Sequence, residues 1–392
     1  MVSRETKRPR SFAASVQEAL DLLERDGLLR SPVVVDGAGG PLISINGREV
    51  INLCSNDYLG LSTHPTIRQA LRTSLLHHGA GASRHIGGTD DAHRRLEAEL
   101  ASFVGLPTAL LFSSGYAANV GVLQALAGPD DVIFSDALNH ASIIDGCRLS
   151  RAAVVVYPHR DLAALQTLLA ETRPRYRTAF IVTESVFSMD GDLAPLPGLH
   201  SLASEHDAAL MVDEAHALGV FGPEGRGSCA AARVEPDLLV GTLGKAFGCA
   251  GAFVATSHAP RSLIENRARS FVFSTATPPI QAAAVLAALP IVRAASDART
   301  HVLRHVQRLR DGLAQLGYAV PQEVSHILPL QLGQPAAAME LSAQLLERGV
   351  FVHGIRPPTV PDNTSRLRIT ASALHTEDHL DTVLRVFSSF ST

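Results

Sequence analysis

The hydrophobic pattern of the chain changes near residue 100, where short apolar runs begin to alternate with stretches of helical periodicity. Strands that alternate with helices are typical of a mostly parallel sheet with helices on both faces. The predicted strands span residues 109–112, 132–135, 153–157, 179–183, 209–212, 238–241 and 252–255. Only about ten residues join the last two strands, which also allows an antiparallel pair. The pattern predicts an α/β fold built on a large, mostly parallel seven-stranded sheet.

The two ends of the chain follow different patterns. Residues 14–30 carry Val16, Leu20, Leu23 and Leu28 at helical spacing, and short strands are predicted at 42–45 and 50–53. One long helix is predicted from about residue 278 to 317, with a bend at Pro290 or near residue 296. A smaller α+β unit follows, with strands at 327–332, 350–353 and 366–370 and helices at 336–348 and 376–389. We therefore predict an N-terminal helix and arm (1–50), a large domain (51–290) and a small C-terminal domain (291–392).

The composition is that of an ordinary globular protein. Of the 392 residues, 46% are hydrophobic and 18% are charged, and the formal net charge is -4. This balance gives no basis for a nucleic-acid or membrane partner. The basic N-terminal segment is not followed by the apolar stretch of a signal peptide. The four cysteines form no CxxC pair, so reduced thiols in a cytoplasmic enzyme without a zinc site are expected.

Lysine is almost absent from the sequence. Of the 34 basic residues, only Lys7 and Lys245 are lysines, and the others are arginines. Arginine-favouring codon usage explains why most surface lysines are missing, and chance survival remains the favoured explanation of Lys245 taken alone. A chemical explanation also exists, because a lysine whose pKa is lowered can supply a free amine and an arginine cannot.

Polar and titratable residues follow the predicted strands, at the carboxyl edge where open α/β sheets bind their ligands. In chain order these residues are Ser113, Ser114, Gly115, Tyr116, Asp136, Asn139, His140, Glu184, Ser185, Ser188, Asp190, Asp213, Glu214, His216, Thr242 and Lys245. Structural explanations remain open, since a Ser-Ser-Gly turn is usually a helix N-cap and isolated histidines are usually satisfied polar residues. No metal is expected, because Asp213, Glu214 and His216 lack a second cluster of ligands.

The same residues match the parts that pyridoxal 5'-phosphate (PLP) chemistry requires. Lys245 supplies an amine for the cofactor aldehyde, and Asp213 can keep a pyridine nitrogen protonated. A histidine ring can stack on the cofactor, and the Ser-Ser-Gly turn before a helix can hold a phosphate. The glycine-rich segment 79–83 does not suggest a dinucleotide site, because no strand precedes it and the third glycine is missing. PLP is therefore the expected cofactor.

The motifs resemble those of the α-oxoamine synthases, PLP enzymes with the aspartate-aminotransferase-type fold (fold type I). The resemblance covers roughly residues 15–390 and implies a homodimer with active sites at the subunit interface. The matching segments are 52–61 (NLCSNDYLGL), 79–89 (GAGASRHIGGT), 113–119 (SSGYAAN), 183–192 (TESVFSMDGD), 212–219 (VDEAHALG), 225–228 (GRGS), 242–248 (TLGKAFG) and 274–279 (STATPP).

The resemblance implies a role for each residue of the cofactor site. Lys245 would form the Schiff base with PLP, and Asp213 would pair with its pyridine nitrogen. His216 would hydrogen-bond the ring hydroxyl, and His140 would stack on the ring. The other cofactor contacts that the resemblance implies are Gly115, Tyr116, Ser188 and Thr242, with Ser274 and Thr275 reaching the phosphate of the neighbouring subunit.

The resemblance also implies a substrate site. Arg368 is expected to bind the amino-acid carboxylate, although Arg366, two residues earlier on the same strand, points the same way. Thr359 matches a contact to the acyl substrate, and an N-terminal arginine, Arg25 or Arg30, matches another. Segment 355–361 (IRPPTVP) followed by 366–370 (RLRIT) is most similar to the biotin-pathway branch of the family, which joins L-alanine to pimeloyl-CoA or pimeloyl carrier protein.

Two departures keep related activities open. Gly87 replaces a serine common in the biotin branch, and Glu214 stands where many of its members have aspartate. Sister enzymes that use glycine or serine therefore remain alternatives, among them aminolevulinate synthase, 2-amino-3-ketobutyrate CoA ligase, and synthases of sphingoid bases or secondary-metabolite amino ketones. A non-catalytic scaffold with the PLP fold is the alternative of a different class, and it would have no need of Lys245, Asp213 and His140 together.

Overall fold

The computed structural model describes residues 11–37, 39–75, 78–323 and 325–390. Its helices are α1 Phe12–Arg25, α2 Pro65–Thr73, α3 Asp91–Val104, α4 Gly115–Leu126, α5 Ala141–Ser150, α6 Leu162–Thr172, α7 Leu196–Glu205, α8 Ser228–Ala232, α9 His258–Arg267, α10 Arg269–Val272, α11 Pro279–Ala294, α12 Ser296–Gln315, α13 Pro335–Glu347 and α14 Glu377–Ser388. Its strands are β1 Leu42–Ile45, β2 Arg48–Asn52, β3 Thr108–Phe112, β4 Val132–Asp136, β5 Ala153–Tyr157, β6 Ala179–Glu184, β7 Ala208–Asp213, β8 Leu238–Thr242, β9 Ala252–Thr256, β10 Ile327–Gly333, β11 Val350–Phe351, β12 Gly354–Ile355 and β13 Ser365–Thr370.

The seven predicted central strands form one sheet, in the order β3-β9-β8-β7-β6-β4-β5. Strands β8, β7, β6, β4 and β5 run parallel to one another. Strand β9 is antiparallel to both of its neighbours, β8 and β3. The expected mostly parallel sheet is confirmed, including the antiparallel pairing of the last two strands. Its five parallel strands end at one edge, where their polar C-terminal residues meet.

Both faces of this sheet are buried, as a mostly parallel sheet requires. Along β3, Leu111 packs with helices α3 and α11 on one face, whereas Leu110 packs with α4 and α5 on the other. Strand β9 alternates in the same way, with Phe253 on the first face and Val254 on the second. Successive side chains of a strand point to opposite faces, so apolar runs without polar interruption are what a doubly covered sheet needs.

The C-terminal part forms a second core around a small antiparallel sheet of β10, β13 and β12. Helices α12 and α14 cover it, and side chains such as Leu309, Ile369 and Phe387 are completely buried there. The N-terminal hairpin β1–β2 joins this unit, because β2 pairs in parallel with β11. Ile51 and Leu53 consequently pack in the same core.

The structure corrects two of the predicted elements. The helix predicted from 278 to 317 is two helices, α11 and α12, which meet at 74° around Ala295. Pro290 lies inside α11 without ending it, so the bend falls near residue 296, the other predicted position. The strand predicted at 350–353 is shorter, since β11 ends at Phe351, and the next strand, β12, begins at Gly354 and belongs to a different small sheet. No local pattern marks that separation, because it depends on which strand each one meets.

The domain division remains a proposal, and the contacts suggest where its boundaries lie. Val285 and Val292 of α11 pack in the core of the large unit, whereas Val306 of α12 packs in the small one. Because Val302 of α12 still packs in the core of the large unit, we propose a boundary within α12, between Val302 and Val306. At the N-terminus, β2 crosses the predicted boundary at residue 51 and packs on the C-terminal unit.

Helix α1 lies on the surface of the chain. It ends at Arg25 instead of residue 30, and none of its residues is buried. Val16, Leu20 and Leu23, which set its predicted periodicity, are each 40–43% exposed. Among the described residues, no single helix is long and apolar enough to cross a membrane, and the pair α11 and α12 meets that criterion only jointly, across its bend.

The loop after β6 is pressed against the small unit, which gives a test of the packing between the two. Gly191 has φ +71°, and a Cβ there would overlap the carbonyl oxygen of Ile327, the first residue of β10. Gly317 has a similar φ of +86° and nothing within 4 Å of its Cβ position.

We expect Gly191→Ala to destabilise the protein more than Gly317→Ala, since both substitutions strain the backbone but only the first adds a clash. Backbone strain costs about 1 kcal/mol, and overpacking adds roughly 1–3 kcal/mol. Thermal unfolding of the two variants measures the difference. Equal melting temperatures would show that the loop does not press on β10.

Candidate active site

A cavity of about 480 Å³ opens at the carboxyl edge of the central sheet, between the large unit and the small one. This volume lies in the usual range for small-molecule sites. It is lined by nine of the residues that the resemblance assigns to the cofactor or substrate site: Gly115, Tyr116, His140, Ser188, Asp213, His216, Thr242, Lys245 and Arg368. Gly115 and Arg368, the first and last of these residues, are 253 positions apart in the sequence. The fold therefore brings most of the predicted site residues to one cavity.

Lys245 lies in the turn that follows β8, and its side chain lines the cavity. The turn is closed by a hydrogen bond from the Gly248 backbone N–H to the carbonyl of Lys245, 2.8 Å. Burial lowers the pKa of the Lys245 amine to about 8, although the carboxylates of Asp213 and Glu184 oppose the change and Arg368 adds to it. A substantial fraction of this amine is consequently neutral near pH 8.

Asp213 is the last residue of β7 and is almost completely buried. One carboxylate oxygen, Oδ2, accepts a hydrogen bond of 2.7 Å from the side-chain amide of Asn119 on α4. The other, Oδ1, accepts one of 2.8 Å from the backbone N–H of Ala215. These two donors hold the carboxylate in one orientation at the cavity wall, where it can pair with a cationic ring nitrogen.

Glu184 lies beside Asp213, since the two residues are register partners at the ends of the parallel strands β6 and β7. It is 3% exposed, lines the cavity, and its Oε1 has no hydrogen-bond partner within the described part of the chain. Burial and the neighbouring Asp213 raise the pKa of Glu184 to about 8, while the backbone N–H groups of His140 and Ser188 favour its charged form. Near neutral pH it is therefore largely a protonated acid.

His140 is the N-cap residue of α5, so the backbone fixes the start of its side chain. Its Nδ1 lies 2.8 Å from the Ser142 hydroxyl and accepts a hydrogen bond from the Ser142 backbone N–H at 3.2 Å. Burial, reinforced by Lys245, lowers the pKa of His140 and keeps its ring neutral. A neutral, fixed ring facing the cavity is suited to stacking on an aromatic cofactor.

His216 follows β7, and its Nδ1 lies 2.7 Å from the hydroxyl of the buried Tyr58. Burial lowers the pKa of His216 well below its usual value, and the positive charges of Lys245 and Arg368 act in the same direction. The imidazole is therefore neutral, with one nitrogen on Tyr58 and the other free to serve the cavity.

Arg368 comes from β13 of the small unit and closes the cavity on that side. Its Nε donates a 2.5 Å hydrogen bond to the carbonyl of Ser188, and its Nη2 lies 3.5 Å from the Tyr58 hydroxyl. Arg366 reaches the same loop, where it pairs with Asp190. Both arginines thus face one side, as their spacing predicts, but only Arg368 lines the cavity.

The N-terminus of α4 provides a cradle for an anion. Ser114 caps the helix through its hydroxyl, 3.1 Å from the Ala117 backbone N–H, and Gly115 and Tyr116 begin its first turn at the cavity. A Cβ on Gly115 would come within 2.7 Å of Thr242 Cγ2, so only glycine leaves this space open. Exposed N–H groups and the positive end of the helix dipole are suited to a phosphate.

These residues fit PLP. The cavity supplies an amine with a lowered pKa, a fixed carboxylate, a neutral imidazole ring and a helix N-terminus for a phosphate. When bound, Lys245 would hold the cofactor aldehyde and Asp213 its ring nitrogen, with Gly115, Tyr116 and Thr242 near its phosphate.

Four predicted site residues lie elsewhere. Ser274 and Thr275 are outside the set of described residues that line the cavity, and Thr275 forms a bridge with Ser83. Arg25 stays on the surface of α1, where its Nε donates to the carbonyl of Asp21. Thr359 also lies outside the cavity wall, and Arg30 is the N-terminal arginine beside it.

The contacts of Arg30 distinguish it from Arg25. Its Nη2 lies 3.4 Å from the Thr359 hydroxyl and donates to the carbonyls of Arg356 and Pro357. Arg356 itself is buried, and its Nε has no hydrogen-bond partner among the described residues. Burial and the neighbouring Arg30 lower the pKa of Arg356, so two guanidinium groups meet here.

Sequence reasoning assigned no role to Asn119, Tyr58 or Glu184. Asn119 and Tyr58 occur within matched motifs, SSGYAAN and NLCSNDYLGL, but nothing local shows which side chain they meet. Glu184 was visible as a strand-end carboxylate, and its protonated state depends on burial that the sequence does not show.

Comparison with known proteins identifies the family. The sequence model of the protein family "aminotransferase class I and II" matches residues 48–387 of this chain. A curated 8-amino-7-oxononanoate synthase from Anaeromyxobacter dehalogenans is 49% identical over 374 residues, which cover 94% of each chain.

Two solved structures are also similar. Serine palmitoyltransferase from S. paucimobilis, with a bound PLP–myriocin aldimine, has a TM-score of 0.90 at 31% identity and covers 97% of this chain and 98% of its own. An 8-amino-7-oxononanoate synthase from Francisella tularensis has a TM-score of 0.76 at 31% identity, and the match covers 87% of this chain and 97% of that enzyme. These matches confirm the expected fold type and its PLP cofactor. The chain therefore belongs to the class I and II aminotransferase family, and within it to the PLP-dependent α-oxoamine synthases, which are acyltransferases.

Proposed function

We propose that this chain joins L-alanine to a pimeloyl thioester, on CoA or a carrier protein, and forms 8-amino-7-oxononanoate in biotin biosynthesis. The Cα of alanine forms a bond with the acyl carbon, the thiol leaves, and the carboxyl group departs as CO2. The observation that carries this proposal is the 49% identity to a curated 8-amino-7-oxononanoate synthase over nearly the whole of both chains. The cavity supports it with residues suited to each step.

PLP, when bound, supplies an electron-withdrawing ring that stabilises negative charge on the amino-acid Cα. In our proposal Asp213 keeps the proton on the ring nitrogen, because Asn119 and the Ala215 N–H fix its carboxylate. The Nζ of Lys245 removes the Cα proton and later returns one, which its pKa of about 8 allows near neutral pH. His140 covers one side of the reacting group as a neutral ring.

Arg368 would bind the carboxylate of alanine. Its Nε is already engaged by the Ser188 carbonyl, so the guanidinium is held against the cavity wall with other N–H groups to offer. The acyl chain would enter past His353 and Ile355, which line the cavity and lead to Thr359 and Arg30. We therefore assign the N-terminal acyl contact to Arg30 in place of Arg25.

We further propose a homodimer with shared active sites. Ser274 and Thr275 lie outside the cavity of their own chain, and next to them Phe273 is 71% exposed. Ile86, beside the loop that bridges Thr275, is 81% exposed. Exposed apolar side chains of this size are typical of a surface that a second subunit covers. All four cysteines are free, which fits a reducing compartment such as the cytoplasm.

The amino-acid preference tests the proposed reaction. With pimeloyl-CoA, we expect kcat/KM for L-alanine to exceed that for glycine or serine by at least about tenfold, since one methyl or hydroxyl group is worth that much in a fitted site. Release of free thiol and of labelled CO2 from carboxyl-labelled alanine measures turnover, and the two should appear in equal amounts. The Lys245→Ala variant serves as the inactive control. Faster turnover of serine or glycine with another acyl-CoA would favour a sister enzyme instead.

The lowered pKa of Lys245 predicts the pH dependence of cofactor uptake. Only the neutral amine attacks an aldehyde, and with a pKa of about 8 its fraction rises with pH. The uptake rate of cofactor-free protein should grow roughly tenfold between pH 7 and 9 and then level off. Glu184, whose own pKa is about 8, becomes negatively charged over the same pH range and then raises the pKa of Lys245, so the profile of Glu184→Gln should lie at lower pH. Stopped-flow absorbance measures both, and a rate that keeps rising above pH 9 would contradict the lowered pKa.

Mixed dimers test the shared site. Lys245→Ala and Thr275→Asp should each inactivate the homodimer, the second by placing charge near the phosphate. If Thr275 serves the neighbouring subunit, each mixed dimer contains one intact site, and reassembly of equal amounts should restore about a quarter of native activity. Assay after unfolding and joint refolding measures the recovery, with separately refolded variants as the control. No recovery would place Thr275 in its own subunit's site.

A further inference from the structure

The hydroxyl of Tyr58 lies behind the cavity wall and contacts three residues that line it. Tyr58 is completely buried. Its Oη lies 2.7 Å from Nδ1 of His216, 3.0 Å from Oδ1 of Asn56 and 3.5 Å from Nη2 of Arg368. One phenol group thus connects side chains from three separate parts of the chain.

Counting protons limits what this hydroxyl can do. A phenol has one proton to donate and two lone pairs that accept. The guanidinium of Arg368 can only donate, so it occupies one lone pair. The proton and the other lone pair are left for His216 and Asn56.

The Tyr58 hydroxyl donates its proton to Nδ1 of His216 and not to Asn56. A neutral imidazole nitrogen is a much stronger acceptor than an amide oxygen, and burial beside Lys245 and Arg368 keeps His216 neutral. The contact to His216 is also the shorter of the two. Asn56 accommodates this arrangement, because a half-turn of its amide presents Nδ2 as a donor to the same hydroxyl.

The ring of Tyr58 is held in place. His326 packs edge-on against it, with the ring centroids 4.1 Å apart, and Phe221 in turn contacts His326, with centroids 5.6 Å apart. Because neither ring can shift without opening a void, the hydroxyl has a fixed position between His216 and Arg368.

We propose that Tyr58 is a positioning residue that holds one tautomer of His216 and links it to Arg368. With its Nδ1 accepting from Tyr58, a neutral His216 carries its proton on Nε2, where it can donate to an oxygen in the cavity. This inference rests on the proposed role of Arg368 and on the contact between His216 and the cofactor that the family resemblance implies, and it goes beyond them by naming the residue that joins the two side chains.

The charge state at Arg368 affects the hydrogen bond between Tyr58 and His216. The charge of Arg368 draws electrons from the Tyr58 oxygen and strengthens its O–H as a donor. A carboxylate bound to Arg368 offsets that charge, so the hydrogen bond to His216 weakens when the amino acid binds. Occupation of the carboxylate site is in this way transmitted to His216, which lines the cavity.

A double-mutant cycle on the PLP-loaded protein tests the inference, with Tyr58→Phe, His216→Asn and the double variant. Tyr58→Phe alone should shift the visible cofactor band and lower kcat about tenfold, as expected for loss of the one hydrogen bond that orients His216. In the His216→Asn background the same substitution should change kcat less than about twofold, because Tyr58 acts through His216. Independent, multiplicative effects would overturn the proposal.

A matched control separates positioning from structure. Tyr157, the last residue of β5, is also buried, at 1% exposure, but it packs with Phe134 and Leu165, outside the cavity wall. Tyr157→Phe removes a buried hydroxyl and should leave the cofactor band unchanged. Equal spectra for the two variants would refute the role of Tyr58. A native protein without a visible band would instead contradict the proposed function itself.

A second cycle leaves Tyr58 intact and therefore does not depend on the folding of its variant. Arg368→Lys and His216→Asn are combined, and the apparent affinity for L-alanine is followed by the change in the cofactor band. Coupling greater than about threefold supports the link, because Tyr58 still joins the two side chains. Additive effects in this cycle would contradict it.

Discussion

The amine of Lys245 lies in a cavity that also holds the carboxyl groups of Asp213 and Glu184 and the guanidinium of Arg368. Burial lowers the pKa of the amine because it disfavours the positive charge, and the neighbouring carboxyl groups raise it. The pKa therefore falls only to about 8. An amine in this range is both a nucleophile for an aldehyde and a base that can give its proton back. The same burial keeps the rings of His140 and His216 neutral and raises the pKa of Glu184 to about 8.

The fold creates this environment by bringing strand ends together. Glu184 and Asp213 are register partners on β6 and β7, and Lys245 follows the neighbouring strand β8. Helix α4 supplies both the phosphate cradle and Asn119, which orients Asp213. The small unit completes the site with Arg368, which is held to the loop carrying Ser188. The chemistry therefore depends on both units staying in contact.

Much of this arrangement follows from sequence pattern, because it rests on strand periodicity and on the rule that parallel strands gather their ligands at one edge. That reasoning located the seven strands and selected Lys245, Asp213 and His140, all of which reach the cavity. It did not separate the two short strands β11 and β12, which belong to different sheets, since pairing partners decide that separation. It also left Arg25 and Arg30 unresolved, because helix α1 ends at Arg25 and the chain beyond it brings only Arg30 to Thr359.

The contacts that sequence could not supply are those between distant segments. Tyr58 and His216 are 158 residues apart, and Tyr58 and Arg368 are 310 apart. Each residue is unremarkable in its own neighbourhood, and only the packing of the hairpin region against both units places one hydroxyl between them. The protonated state of Glu184 is likewise a property of its burial, which no local pattern encodes.

The central claim is that the amine of Lys245 holds the cofactor, and reduction of the PLP-loaded protein with borohydride tests it most directly. The chain offers three amines, those of Lys245, Lys7 and the N-terminus. Peptide mass mapping after reduction should find the pyridoxyl group on the peptide containing Lys245, in about one copy per chain. A label on Lys7 or the N-terminus, or no stable label at all, would contradict the account.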